Sequence, residues 1–177
     1  MHLIWLRSDL RVDDNTALSA ATHEGPTIAL WIASPQQWQA HDDAPGKVDF
    51  WLRNLRDLRH SLESLNIPLL IAHTNTWQQV PEAVLAVCRK HKVQSVHWND
   101  EYGLNEAQRG QRTRDELERA GIAVHTHLDQ LFFKPGTLLT KAGNYFQVFG
   151  QFRKACLEHL HRSVPSMAHP VKRQAKL

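Results

Sequence analysis

The fold is decided by the first part of the chain, Met1-His-Leu-Ile-Trp-Leu-Arg-Ser-Asp-Leu-Arg-Val-Asp-Asp-Asn-Thr-Ala-Leu18. His2 to Leu6 is a short run of residues that favour strands, and charged residues follow it at once. Asp13 to Asn15 can accept hydrogen bonds from the free N–H groups of a helix, and the alanine-rich residues 16–22 are suited to form one. The stretch therefore predicts a buried strand, a polar loop and a helix.

The polar loop is a candidate for function. In an open parallel sheet, a loop that leaves the carboxyl end of a strand lies where ligands usually bind. We therefore expect the charged side chains of this loop on the functional rim, namely Arg7, Asp9, Arg11, Asp13 and Asp14. A structural interpretation is equally open, in which Arg7 and Arg11 pair with neighbouring Asp carboxylates only to organise the loop.

The rest of the chain continues the alternation of strand and helix. Apolar runs predict four further strands, at residues 27–33, 67–72, 93–98 and 122–127. Helical spacing of apolar residues predicts helices at 47–65, 80–88, 105–120 and 148–162, whereas 36–46 reads as a polar loop. Asn66 is expected to end its helix in a left-handed conformation. The pattern predicts an α/β fold, a Rossmann-like doubly wound sheet of about five parallel strands with helices on both faces.

Length and composition indicate one folded domain. A chain of 177 residues with 42% hydrophobic residues suits a single well-buried core. We expect residues 1–162 to form it and 163–177, with Pro165 and Pro170, to begin an interdomain linker. The net charge of +3 originates in residues 153–177, so the body carries no basic stripe of the kind that binds DNA.

Cellular location follows from what the sequence lacks. The two cysteines, Cys88 and Cys156, lie far apart, and we find neither a signal peptide nor a long apolar segment. These features predict a reduced, cytoplasmic protein that does not contact a membrane.

Several familiar sites are excluded by the sequence. No two glycines stand one residue apart, so the dinucleotide fingerprint is absent, and there is no Gly-Lys-Ser or Gly-Lys-Thr phosphate loop. The Gly-x-Ser-x-Gly nucleophile elbow is missing too. His125 and His127 share one face of a strand, but no spacing supplies further ligands. We therefore predict no metal site in this chain.

The remaining constellation is Tyr102-Gly-Leu-Asn-Glu106, where a loop becomes a helix. It can be explained by capping, with Asn105 as N-cap, Gln108 completing a capping box and Glu106 stabilised by the helix dipole. It can also be explained by binding, because a carboxylate beside an amide can accept paired hydrogen bonds from the N–H and NH₂ groups of a pterin ring. The residues leave both interpretations open.

Three segments resemble one known family. Trp5-Leu-Arg, Asp9-Leu-Arg and Asn15-Thr-Ala-Leu are similar to the amino-terminal signature of DNA photolyases and cryptochromes, and residues 135–152 resemble that family's connection from sheet to linker. The pattern from Tyr102 to Glu106 resembles the antenna site of folate-type bacterial photolyases. The resemblance implies that Asn105 and Glu106 contact methenyltetrahydrofolate, with His41 as a further contact.

The resemblance also implies a function, that of the amino-terminal light-harvesting domain of a cyclobutane pyrimidine dimer photolyase. This lyase repairs UV-damaged DNA with blue or near-UV light. In the family, a larger helical domain follows and holds FAD and the pocket for the flipped dimer. The antenna pterin passes its excitation to the reduced flavin, which donates an electron to the dimer.

That carboxyl-terminal FAD domain is absent from these residues, so the resemblance implies that no residue of this chain is catalytic. We therefore expect the chain to be a monomer that is inactive alone, partners its own FAD domain and meets DNA only through the full-length protein. We also expect it to bind the folate weakly, because the resemblance implies that part of the antenna contact comes from the missing domain. Two alternatives stay open, a cryptochrome-like photoreceptor and a stand-alone module that binds a nucleotide or metabolite.

Overall fold

The computed structural model describes residues 1–177. Its strands are β1 (His2–Trp5), β2 (Thr27–Ala33), β3 (Leu69–His73), β4 (Ser95–Asn99) and β5 (Ala123–His127). Its helices are α1 (Thr16–Glu24), α2 (Pro35–Ala40), α3 (Pro45–Ser64), α4 (Val80–His91), α5 (Leu104–Arg119) and α6 (Phe149–Arg162). A short 3₁₀ turn, Trp77–Gln79, precedes α4. No helix combines the length and the apolar character that crossing a bilayer requires.

The five strands form one parallel sheet in the order β3-β2-β1-β4-β5. β1 lies at the centre, where Ile4 pairs with Ala29 on one side and with His97 on the other. The chain moves outward from β1 to β3, then returns to place β4 against the free edge of β1. The predicted fold class is confirmed, and the reversal between β1 and β4 creates the crevice in which such sheets bind ligands.

Helices cover both faces of this sheet. On one face, α1 and α3 bury Leu18, Leu58 and Leu62 with Ile4 and Trp31 of the strands. On the other, α4 and α5 enclose a second core around Trp5 and Trp98, whose rings meet edge to face at 5.3 Å. The strands have apolar residues on both faces because both faces are covered.

The structure corrects one predicted loop and confirms two predicted helix ends. Residues 36–46 are not simply a polar loop, since α2 occupies residues 36–40 and α3 begins at Pro45. Both helices carry a proline in the first turn, where no backbone N–H is needed. Asn66 has the predicted left-handed φ of 58°, and Gly121 ends α5 with a φ of 77°.

The start of α5 differs from the capping prediction. Gly103 is its N-cap, and Asn105 lies inside the first turn. The carboxylate of Glu106 folds back over Gly103 and occupies the space that a Cβ there would need. The helix therefore begins at a residue without a side chain, and Asn105 does not cap it.

Residues 163–177 contain no helix or strand but lie against the domain. The side chain of Gln174 accepts a hydrogen bond from Thr27 N at 2.8 Å and donates to Thr27 O at 2.9 Å. Val171 packs against the core under α1 and α3. That the segment leads into an interdomain linker stays a prediction.

Candidate functional site

A pocket of about 440 Å³ opens at the carboxyl ends of β1, β2 and β4. Each of these strands contributes residues from its end or from the loop that follows it, among them Arg7 after β1, Ser34 after β2 and Glu101 after β4. The pocket therefore spans the switch point between β1 and β4, the usual ligand position in such sheets.

Indole rings form most of its apolar lining. Five of the six tryptophans in the chain line it, namely Trp5, Trp31, Trp38, Trp51 and Trp77. The Trp38 ring lies 6.2 Å from that of Trp31 and 6.1 Å from that of Trp51, measured between centroids. Planar aromatic surfaces of this extent favour a flat, conjugated ligand over a small polar one.

Two arginines and one glutamate form a buried charged cluster in one wall of the pocket. Glu101 Oε2 lies 3.2 Å from Arg7 Nε and also accepts a hydrogen bond from Arg109 Nη2. Burial lowers the pKa of Arg7, and it lowers that of Arg109 to about 10 although Glu101 opposes the shift. Arg109 therefore stays protonated at neutral pH, and within this cluster two guanidinium groups share the single carboxylate of Glu101.

Arg109 is incompletely paired. Its guanidinium stacks over Trp77 at 4.2 Å from the ring centroid and over Trp5 at 5.4 Å. Its Nε is the one buried side-chain nitrogen or oxygen in the structure without a hydrogen-bond partner. A buried donor of this kind has a free-energy cost that an acceptor atom of a ligand would remove.

Most charged side chains of the amino-terminal loop hold the loop in place and do not line the pocket. Of the five charged residues expected on the rim, only Arg7 lines the pocket. Asp9 is buried and accepts from Arg7 N and Asn99 Nδ2, whereas Arg11 pairs with Asp129 at 2.7 Å. The arginines thus organise the loop as the structural interpretation proposed, but their acidic partners are Glu101 and Asp129 rather than the nearby aspartates.

The three predicted chromophore contacts lie around the same opening but do not face one cavity. Glu106 and His41 line the large pocket. Asn105 instead lines an adjoining hollow of about 100 Å³, which His41 and Arg109 share. The His41 ring meets Trp77 edge to face at 5.2 Å. These three residues therefore lie along the rim, and His41 lies at the boundary between the two cavities.

Sequence reasoning did not find the tryptophan walls or the Glu101–Arg109 pair. The tryptophans are distributed over β1, β2, α2, α3 and the turn before α4, and only the fold gathers them. One signal was available in the sequence. Trp31 lies in the carboxyl half of a predicted strand, and Trp38 and Trp77 each follow the end of one. Glu101 and Arg109 are eight residues apart, a spacing that no helical or strand rule singles out.

Comparison with known proteins identifies the family. The sequence model described as DNA photolyase matches residues 2–171. The chain belongs to the DNA photolyase family. A deoxyribodipyrimidine photo-lyase from Vibrio cholerae is 37% identical over 172 residues, which cover 97% of this chain and 37% of the relative. Cryptochrome-1 from Arabidopsis thaliana is 34% identical over 88% of this chain and 22% of its own length.

Solved photolyase structures share the fold. A class III photolyase from Agrobacterium tumefaciens superposes with a TM-score of 0.76 at 24% identity, covering 98% of this chain and 35% of that one. This DNA photolyase family member thus spans about a third of the length of the relatives it matches.

Proposed function

We propose that this chain is the light-harvesting domain of a deoxyribodipyrimidine photo-lyase and that its tryptophan-lined pocket holds the antenna chromophore. The observation that carries the proposal is the pocket itself, a crevice of about 440 Å³ at the switch point with indole walls and the Glu106 carboxylate at its rim. Its volume lies within the range of about 300–1,000 Å³ that suits organic cofactors.

The donors and acceptors of the pocket fit methenyltetrahydrofolate. The Glu106 carboxylate can accept paired N–H donors of a pterin, and the unpartnered Arg109 Nε can donate to a ring or carbonyl acceptor. The indoles would pack against the flat ring. When bound, this group supplies absorption of near-UV and blue light. Asn105 and His41 would hold the part of the ligand that extends along the rim.

The activity of the whole protein is a further part of the proposal. FAD, DNA binding and dimer repair are assigned to a carboxyl-terminal helical domain, since this chain covers 37% of the Vibrio photo-lyase. A cryptochrome-like photoreceptor is the second candidate, favoured by the 34% identity to Cryptochrome-1. Repair of pyrimidine dimers under blue light by the full-length native protein distinguishes the two, because a photoreceptor of the second kind would leave the dimers intact.

Chromophore binding by this chain is tested by calorimetric titration with methenyltetrahydrofolate. We expect weak, saturable binding with a Kd on the order of 100 µM, because the pocket is wide and open. Glu106→Gln should weaken it about tenfold or more through loss of the charged acceptor. Glu82→Gln, an exposed position in the first turn of α4, is the matched control. Equal binding by both variants would refute the assigned role of Glu106, and FMN titrated in parallel tests a flavin as the occupant.

A further inference from the structure

A second polar cluster lies beneath the carboxyl end of α1. His2 opens β1 and pairs in register with Ser95 of β4, and His97 follows on the same face of that strand. Glu24, the last residue of α1, reaches the same point. None of these residues lines the tryptophan pocket. The fold therefore gathers two imidazoles and a carboxylate from three segments that are distant in sequence.

The ligand atoms are spaced as a metal ion requires. Glu24 Oε2 lies 3.5 Å from His2 Nδ1 and 3.3 Å from His97 Nε2, and all three atoms lie within 4.8 Å of one another. Ligands about 2.0–2.1 Å from a tetrahedral ion are separated by about 3.3–3.4 Å. Two of the three edges are already close to this length, and the third, between His2 Nδ1 and His97 Nε2, would shorten on rotation of the partly exposed His2 ring.

The surroundings resemble those of a metal ligand set. His97 is fully buried, and its other ring nitrogen, Nδ1, lies 3.3 Å from His127 Nε2. Metal-binding histidines commonly donate their second N–H to an acceptor that fixes the orientation of the ring, and His127 Nε2 is in position to accept here. The Glu24 side chain is 40% exposed and provides a path from solvent. Ser95 Oγ, 2.8 Å from His2 Nδ1 and 3.0 Å from His97 Nε2, offers a further oxygen.

We propose that His2, Glu24 and His97 bind a divalent transition-metal ion, with Zn²⁺ as the best match. Mixed imidazole and carboxylate ligands suit zinc and its neighbours, whereas Mg²⁺ and Ca²⁺ prefer oxygen alone. The fourth position is open to water or to the Ser95 hydroxyl. The ion would fasten the last turn of α1 to β1 and β4, so that metal binding stabilises the folded chain.

Titration of the purified chain with Co²⁺, whose visible absorption reports coordination geometry, tests the site. We expect one ion per chain in a four-coordinate spectrum, displacement by Zn²⁺, and a Tm that rises with added Zn²⁺. His2→Gln and Glu24→Gln should each weaken binding by at least about tenfold. His60→Gln and Glu82→Gln, at exposed positions on α3 and α4, are the matched controls and should bind as the unsubstituted chain does.

Two results would overturn the site. One is the absence of saturable binding up to about 1 mM metal. The other is one-to-one binding that His2→Gln and Glu24→Gln leave unchanged, which would place the ion at other histidines of the twelve in the chain. X-ray absorption at the zinc edge of the unsubstituted, zinc-loaded chain needs no variant. It should show two imidazoles with oxygen ligands, and a shell without imidazole would refute the proposal.

Discussion

Asn99 Nδ2 donates to Asp9 Oδ2 at 2.7 Å, and this bond fixes the end of β4 to the loop that follows β1. Both side chains are buried, and Asn99 Oδ1 also accepts from Ala17 N at 3.0 Å. One amide thus holds together the loop, the first turn of α1 and the strand that borders the pocket. The loop that carries the family signature is built around this bond.

Removing the Asn99 amide should destabilise the whole domain. Asn99→Ala leaves the buried Asp9 carboxylate and the Ala17 N–H short of partners, at a cost of about 3 kcal/mol in the free energy of unfolding. Urea denaturation measures this cost. Asn75→Ala, at an exposed position whose side chain makes no hydrogen bond, should change stability by less than about 0.5 kcal/mol. Equal losses in the two variants would contradict the account of the network.

Gly103 is expected to control the position of Glu106. A Cβ at residue 103 would displace the Glu106 carboxylate, the movable end of a flexible side chain, so Gly103→Ala should cost only about 1 kcal/mol of stability. It should nevertheless weaken methenyltetrahydrofolate binding several-fold. The same substitution in a Glu106→Gln background should have little added effect, because the carboxylate is already gone. Additive losses in this double-mutant cycle would show that the two residues act independently.

Asp129 provides a pH-dependent link between the loop after β5 and α1. Burial raises the pKa of this carboxyl, but hydrogen bonds from Arg11 and Thr16 outweigh it, and the pKa lies below its usual 3.8. A lowered acid pKa adds stability that is fully present above about 3.8 and is lost as the pH falls through the folded-state value.

The test of this link is Asp129→Asn, measured by urea denaturation across pH 3 to 7. We expect a loss of about 1–2 kcal/mol at pH 7 that becomes smaller as the pH falls below about 3.8, because the carboxyl of the unfolded chain then takes up its proton before that of the folded chain. Asp57→Asn, at an exposed position on α3, is the control and should show no such convergence. A loss that stays constant with pH would contradict the assignment.

Gln174 is expected to hold the carboxyl-terminal segment against the domain. Gln174→Ala removes its side-chain bonds to Thr27 and to Asn66 O, and should cost about 1–2 kcal/mol. Hydrogen exchange gives a local readout, because Thr27 N–H donates to Gln174 Oε1 and should exchange faster in the variant. Gln151→Ala, exposed on α6, should leave that exchange unchanged. Slow exchange of Thr27 in both variants would show that the segment is held by other contacts.

The sequence predicted the sheet because its strands are apolar runs with sharp polar boundaries. β2 was placed at its observed limits, and the residue that ends α3, Asn66, was assigned its left-handed conformation. The sequence did not predict α2, because six residues are too few to show a helical period and the prolines suggested a loop. Nor could it place the start of α5, where packing of Glu106 over Gly103 overrides the side-chain preference for Asn105.

The candidate site was predictable in part, and by resemblance more than by pattern. Glu106 and His41 line the pocket, whereas Asn105 lies beside it. The tryptophan walls and the pairing of Arg7 with Glu101 are long-range products of the fold, since the five tryptophans come from five segments and Glu101 follows a sixth, β4. No local spacing rule carries such information, and only a topology with β1 between β2 and β4 brings these side chains together.

Tryptophan fluorescence of the chain, recorded during titration with methenyltetrahydrofolate, tests the central claim most directly. Five tryptophans line the pocket, so a bound chromophore should quench most of their emission in a saturable manner. Trp38→Phe and Glu106→Gln should both weaken the titration, and Glu82→Gln should not. We expect saturable quenching of the tryptophan emission that depends on Glu106. Quenching that rises linearly with ligand, or a saturable curve identical in Glu106→Gln, would contradict the assignment of this pocket to the antenna chromophore.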